Sequence, residues 1–192
     1  MSLVSIIARE NFITVMTDGR VTSEGEAIQE DYKKFIQLNK DMFFAFAGSK
    51  EPCEFVARWA KDYFKQYGLN KLASAINGFV LNNNLNKYKI LAGFGGVDSK
   101  RVKLFTYSSL ENKLNEFIPE GYHDIKYAFL YNSSTENNDL NLTEILTNGL
   151  RKHGFNTSNK CLKAQKELNE MVASKEFGVN NITFDLTIKN SN

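Results

Sequence analysis

Residues that commonly build metal or triad centres are scarce in this 192-residue chain. It has two cysteines, two histidines and two prolines. Cys53 and Cys161 lie far apart and in no metal-ligand spacing. They read as reduced, partly buried thiols of a cytoplasmic protein. His123 and His153 have no cysteine or carboxylate spaced around them, so neither a histidine metal site nor a Ser-His-Asp triad is indicated. Long apolar runs are also missing. None approaches the roughly 18 residues of a membrane span. The first apolar run stops at Arg9 with no basic segment before it, so no signal peptide is expected. The sequons at Asn132, Asn141, Asn156 and Asn181 then read as chance matches. Charge of one sign is lacking too. Net charge is +2 and the basic residues are scattered, which argues against a nucleic-acid partner. The glycine-rich AGFGG at 92–96 precedes no Gly-Lys-Ser/Thr and reads as a hairpin turn or a close-packing device. Linkers, repeats and low-complexity segments are absent, so residues 1–192 are expected to form one domain.

What is present is a segregated pattern of strands and helices. LVSIIAR and NFITVMT are apolar and β-branched, with Glu10-Asn11 as a turn between them. KKFIQL and DMFFAFAG follow, so four strands fill about the first 48 residues. Helical spacing then takes over. Phe55, Trp59 and Tyr63 recur at i, i+4 and i+8, and this stripe is expected in the core. Ser49 suits a cap, Pro52 a first turn and Gly68 a helix end. A second helix over about 69–83 carries Leu72, Ile76, Phe79 and Val80 on one face. Strands return with YKILAGFGG, KRVKLFTYS, NKLNEFIP and IKYAFLY. Two more helices follow, one ending at Gly154 with Leu142, Ile145, Leu146 and Leu150 inward. The other ends near Gly178 with Leu162, Leu168, Met171 and Val172 inward. NNITFDLTI is a final strand. Runs of strands, then helices, then strands again predict a layered α+β domain.

The chemistry worth weighing lies near the N-terminus. Ser2 directly follows Met1 and is small enough to permit its removal. A processed chain would carry a hydroxyl beside a free α-amine, whose pKa of roughly 8 suits a general base. Ser2 opens the first strand and Asp18 closes the second, so an antiparallel hairpin puts them at one end of a sheet. The Asp18-Gly19 pair is itself an ordinary hairpin signal. Lys34 opens the third strand, sixteen residues after Asp18, and can reach the same corner. A lysine there favours loss of the hydroxyl proton, and an aspartate keeps it charged and placed. On residues alone, a surface Asp–Lys pair at a strand end explains the same spacing.

Taken together, S-x15-D-G-R-x-T, Lys34 and FAFAGS resemble the proteasome β-subunit group of N-terminal nucleophile hydrolases, which includes the HslV peptidase. The resemblance is good over about residues 2–60, fair to about 108 and loose beyond. It implies a four-layer αββα sandwich of two antiparallel sheets flanked by helix pairs. It also implies peptide or amide hydrolysis by Ser2, with Asp18 and Lys34 as charged partners. Gly48 would then supply an oxyanion-hole amide. Lys33 is the less suitable lysine, because the interval from Asp18 points to Lys34. The resemblance places Arg20, Thr22, Phe46, Ser49 and Lys50 around the substrate. Phe46 and Lys50 then line the pocket for the residue before the cleaved bond. No metal and no cofactor enters this chemistry. A homo-oligomeric ring and an ATPase partner are implied by the family alone.

Two departures stand out. The family's Gly-Ser-Gly is replaced by Asn132-Ser133-Ser134, leaving Ser133 as the substitute. The family's later Asp has no counterpart in ASKEFGVNN, which offers Ser174 or Glu176. A non-catalytic subunit that kept the sandwich, and an amidase acting on small amides, are the alternative expectations.

Overall fold

A computed structural model describes residues 2–132 and 140–190. Strands β1 (Ser2–Arg9) and β2 (Phe12–Asp18) form a hairpin, as their sequence predicts. Two short strands, β3 (Val21–Ser23) and β4 (Glu26–Gln29), pair only with each other, and their sequence gives no alternating signal. Strands β5 (Phe35–Asn39) and β6 (Met42–Gly48) follow, then helix α1 (Lys50–Asn82). The chain continues through β7 (Ile90–Asp98), β8 (Arg101–Ser108), β9 (Lys113–Phe117) and β10 (Ile125–Asn132). Helices α2 (Leu142–His153) and α3 (Ser158–Ala173) and strand β11 (Thr183–Lys189) complete it.

The larger strands make two antiparallel sheets. One has the order β10-β1-β2-β11 and the other β5-β6-β7-β8-β9. The alternation of side chains along each strand sorts the interior into three apolar layers. Val4, Ile6 and Ala8 of β1 meet Phe43, Ala45 and Ala47 of β6 between the sheets. Phe44 and Phe46, from the other face of β6, pack beneath α1 with Val56, Ala60 and Ile76. Leu3 and Ile7, from the other face of β1, pack against Leu146, Cys161 and Leu168 of α2 and α3. This is the four-layer αββα sandwich. Strands β1 and β2 are buried along their whole length because both sheet faces are covered. The AGFGG glycines serve close packing inside β7 rather than a turn: a Cβ on Gly93 would lie 2.4 Å from Ile6 Cδ1 of the facing sheet.

The helices expected on either side of Gly68 are both present: α1 is interrupted there by a non-helical glycine (φ 77°), which separates the two members of the outer helix pair on this side. Other local expectations need correction. The aromatic stripe is only partly in the core. Trp59 and Tyr63 pack against it, whereas Phe55 is 42% exposed. On α3 the inward face carries Cys161, Ala164, Gln165, Leu168, Asn169 and Val172, while Met171 is turned outward. The apolar pattern misplaced this face because part of it is polar and internally satisfied. Gln165 accepts from Thr14 Oγ1 (2.8 Å) and donates to the Ser5 carbonyl (2.8 Å), fastening α3 to β1 and β2. The helix also stops at Ala173, short of Gly178.

Candidate active site

Asp18 is the last residue of β2, where it pairs with Thr183 of β11, one residue beyond the Val4–Thr17 pair with β1. Its carboxylate is satisfied on three sides. Oδ1 accepts the Leu3 amide (2.7 Å), Oδ2 accepts the Arg20 amide (2.9 Å), and the Lys34 ammonium lies 2.6 Å from Oδ2. Lys34 also donates to the Asp18 carbonyl (3.0 Å). The side chains are 0% and 3% exposed. A surface pair at a strand end is therefore excluded. Burial pushes the Lys34 ammonium below the ordinary lysine range, against the opposing charge and hydrogen bond of Asp18. Burial likewise raises the Asp18 carboxyl, with the charge and hydrogen bond of Lys34 and then the two amides opposing it.

The turn at Asp18-Gly19 is not a hairpin, because β2 and β3 do not pair. The chain instead leaves the sheet along a narrow path. A Cβ on Gly19 would lie 2.5 Å from the Glu30 carbonyl, so glycine is needed there for close approach rather than for a left-handed turn. The Tyr32 amide donates to the Gly19 carbonyl (2.8 Å), which draws the segment before β5, and with it Lys34, back to Asp18.

Lys34 faces a cleft of about 120 Å³ that it shares with Ser2 and Gly48. Thr22, Phe46, Ser49 and Lys50 also line it, as do Val21, Ala47 and Tyr32. Gly48 ends β6 at φ +121°, and a Cβ there would overlap the Lys89 carbonyl at 2.1 Å. The Ser49 amide is bonded across to that Lys89 carbonyl (2.8 Å), and the Phe46 amide to the Lys34 carbonyl on the opposite side (3.0 Å). Antiparallel alternation therefore sends the Gly48 N–H away from β7, to the side of β6 where Lys34 lies. Ser2 is 7% exposed and opens β1, whose register pairs it with Asn132.

The remaining expected residues lie elsewhere. The Arg20 amide holds Asp18, but its guanidinium pairs with Glu30 (3.0 Å) and donates to the Phe177 carbonyl, outside the cleft lining. Glu176 accepts from the Tyr131 hydroxyl (2.9 Å), and Ser174 donates to the Met171 carbonyl (2.7 Å). Ser133 lies outside the described residues. Sequence reading missed Tyr32, a wall of the cleft, and Asn180. Asn180 Oδ1 accepts the Gly19 amide (2.9 Å), while its Nδ2 donates to the Glu30 carbonyl (2.8 Å) and carboxylate (2.5 Å). Asn169 in turn holds the Asn180 carbonyl (2.8 Å). An asparagine before a strand reads as a turn, and nothing local marks it as a strap across the Asp18 loop.

Among the described residues no group of histidine, cysteine, aspartate and glutamate could hold a metal ion, and no helix is long and apolar enough to cross a membrane. No curated protein matches the sequence. The crystal structure of eukaryotic HslV from Trypanosoma brucei is similar in fold, with a TM-score of 0.69 at 12% identity, covering 97% of this chain and 99% of that one. Residues 5–109 match the family model described as proteasome subunit. That match spans more than half of the chain, including Asp18, Lys34 and Gly48, and on it the protein belongs to the proteasome subunit family.

Proposed function

We propose that the chain is a proteasome-type hydrolase of peptide or amide bonds, acting through Ser2 once Met1 is removed. The carrying observation is the buried Asp18–Lys34 pair opening onto the same cleft as Ser2 and Gly48. In this reading Ser2 Oγ attacks the substrate carbonyl carbon and its proton passes to the Ser2 α-amine. The Lys34 ammonium favours loss of that proton by stabilising the negative charge developing on Oγ, and Asp18 holds the ammonium in place. The Gly48 amide stabilises the oxyanion. Collapse of the intermediate expels the amine, which takes the proton back from the α-amine and leaves an ester on Ser2. Water, deprotonated by the same amine, then cleaves that ester and restores the hydroxyl.

The test compares Met1-free protein with a Ser2→Ala variant on peptide substrates. Hydrolysis by the first and none by the second is expected; equal or absent activity in both overturns the reading. A non-catalytic subunit is the second reading. It is favoured by the engagement of Glu176 with Tyr131 and of Ser174 with Met171, away from any role beside Ser2. Intact-mass measurement separates the two, since a retained Met1 leaves Ser2 nitrogen an amide and no base. An amidase for small amides shares the nucleophile and differs in preferring short substrates over peptides in the same assay. Assembly into a homo-oligomeric ring that receives substrate from an ATPase, in the cytoplasm, is proposed from family membership. A monomer by light scattering would remove the ring.

A further inference from the structure

We propose that Asn180 is a positioning residue of the candidate site, holding together the two chain segments that carry Asp18 and Lys34. The inference rests on the reading of Ser2 as nucleophile and deepens it by naming a group that acts through the charged pair.

The pair is assembled across an excursion of the chain. Asp18 ends β2, Lys34 precedes β5, and residues 19–33 between them form the β3–β4 hairpin. That hairpin pairs only with itself, so no ladder of the large sheets sets how the two ends of the excursion meet. Asn180 bonds to both ends. Its Oδ1 accepts the Gly19 amide (2.9 Å), next to Asp18. Its Nδ2 donates to the Glu30 carbonyl (2.8 Å), on the segment that returns to Lys34, and to the Glu30 carboxylate (2.5 Å). Asn180 is itself 6% exposed and anchored from behind, because Asn169 of α3 donates to its carbonyl (2.8 Å). One side chain thus ties the helix layer to the base of the excursion.

The position calls for an amide. A single group there accepts from one N–H and donates to two oxygens, which fixes which end is oxygen and excludes a carboxylate. Gly19 lies between Asp18 and the Arg20 amide that holds the Asp18 carboxylate (2.9 Å). Play at Gly19 therefore passes directly to Asp18, and through it to the Lys34 ammonium. The other ties at this base are a single bond from the Tyr32 amide to the Gly19 carbonyl (2.8 Å) and the Arg20–Glu30 pair, which is 21% and 47% exposed and open to screening. Displacing a catalytic group by about 1 Å costs up to about a hundredfold in rate. Asn180 belongs to ASKEFGVNN, the segment in which the resemblance finds no Asp. This chain connects that segment to the site through an amide instead.

The experiment uses Met1-free protein and compares Asn180→Ala and Asn180→Asp with Arg9→Met, a buried substitution at the far end of β1. Two properties are measured: kcat and KM on peptides, and the Cε signal of Lys34 in protein carrying 13C-labelled lysine, assigned by its loss in Lys34→Arg. Asn180→Ala is expected to lower kcat about tenfold, to change KM by less than about threefold and to move the Lys34 signal. Arg9→Met should do none of these. Asn180→Asp keeps an acceptor for Gly19 but sets a second carboxylate against Glu30, so kcat should fall and the Lys34 signal move as in the alanine variant. Adding Glu30→Gln gives that carboxylate a donor and should restore about a third or more of the lost kcat. An unchanged kcat, a loss confined to KM or an unmoved Lys34 signal in Asn180→Ala overturns the proposal and leaves the hydrolase reading intact. So does a loss of kcat no larger than that in Arg9→Met, or a double variant that recovers nothing. If Asn180→Ala does not fold, Asn180→Asp with and without Glu30→Gln decides by the same criteria. Absence of turnover in the unaltered protein overturns the hydrolase reading instead, and the Lys34 signal then decides alone: moved by Asn180→Ala and not by Arg9→Met, it supports the proposal; unmoved, it refutes it.

Discussion

Strand β1 has a buried basic side chain at each end, and the two are held by different means. At the start of the strand, Lys34 meets a carboxylate held by two backbone amides, and its ammonium borders a cleft. At the end of the strand, Arg9 is 1% exposed and has no carboxylate within ion-pair distance among the described residues. Its guanidinium donates to the Phe155 carbonyl (2.6 Å) and to the Tyr122 carbonyl, and it stacks on the rings of the same two residues at 4.8 and 5.6 Å. Carbonyls and ring faces hold Arg9, although its buried Nε–H finds no partner among the described residues, because guanidinium is weakly hydrated and its terminal donors fan out in a plane. The compact ammonium of Lys34 needs an anion. Arg9 thus fastens two loops to a strand end, whereas Lys34 is coupled to a titratable partner beside open space, which is what proton chemistry requires.

Substitutions separate the two ends. Lys34→Met should cost the most, leaving Asp18 buried without its counter-charge at about 3–5 kcal/mol of stability and removing hydrolysis as well. Asp18→Asn combined with Lys34→Met should regain most of that stability in urea unfolding and none of the activity. Recovery of activity would show the pair to be structural. Arg9→Met comes next. It leaves two partly buried carbonyls without donors and should cost about 1–2 kcal/mol. Hydrolysis per folded molecule should be unchanged, and a lost rate would mean that the ends are coupled.

The pH profile sharpens the same contrast. The α-amine accepts a proton only when neutral, so kcat/KM should rise through about pH 8. The Lys34 ammonium is pushed below its ordinary value, so its contribution disappears as pH climbs, before that of an unburied lysine would. A bell with its alkaline limb below pH 10.5 is expected, and Lys34→Arg should move that limb upward. A plateau extending past that value would contradict the assignment. The smallest effect concerns the thiols. Burial pushes Cys53 up to about 12 and Cys161 up to about 11, so a thiol reagent at pH 8 should find neither until the protein is unfolded.

Much of the site was legible because it depends on short-range spacing. A hairpin with one tight turn must bring the start of β1 to the end of β2, and Lys34 follows within reach. The large strands were legible for the same kind of reason, since a two-residue alternation needs no partner to be seen. The inward face of α3 was not. Gln165 looks like a surface residue until Thr14 and Ser5, more than a hundred positions away, satisfy it. Asn180 is the same case at the site: its value lies in the Gly19 amide and the Glu30 carbonyl, neither of which is near it in sequence.

The sequence by itself determined the order of the larger strands and the helices, the hairpin that joins Ser2 to Asp18, and the lysine that completes the pair. Each follows from local periodicity or from a fixed interval along one chain segment. Tertiary structure decided that the pair is buried, that Gly48 ends β6 beside it, that Arg20 turns its charge to Glu30, and that Lys50 stands over the Tyr32 ring. Those outcomes depend on which groups meet after the sheets close and exclude water, and no interval in the sequence encodes that exclusion.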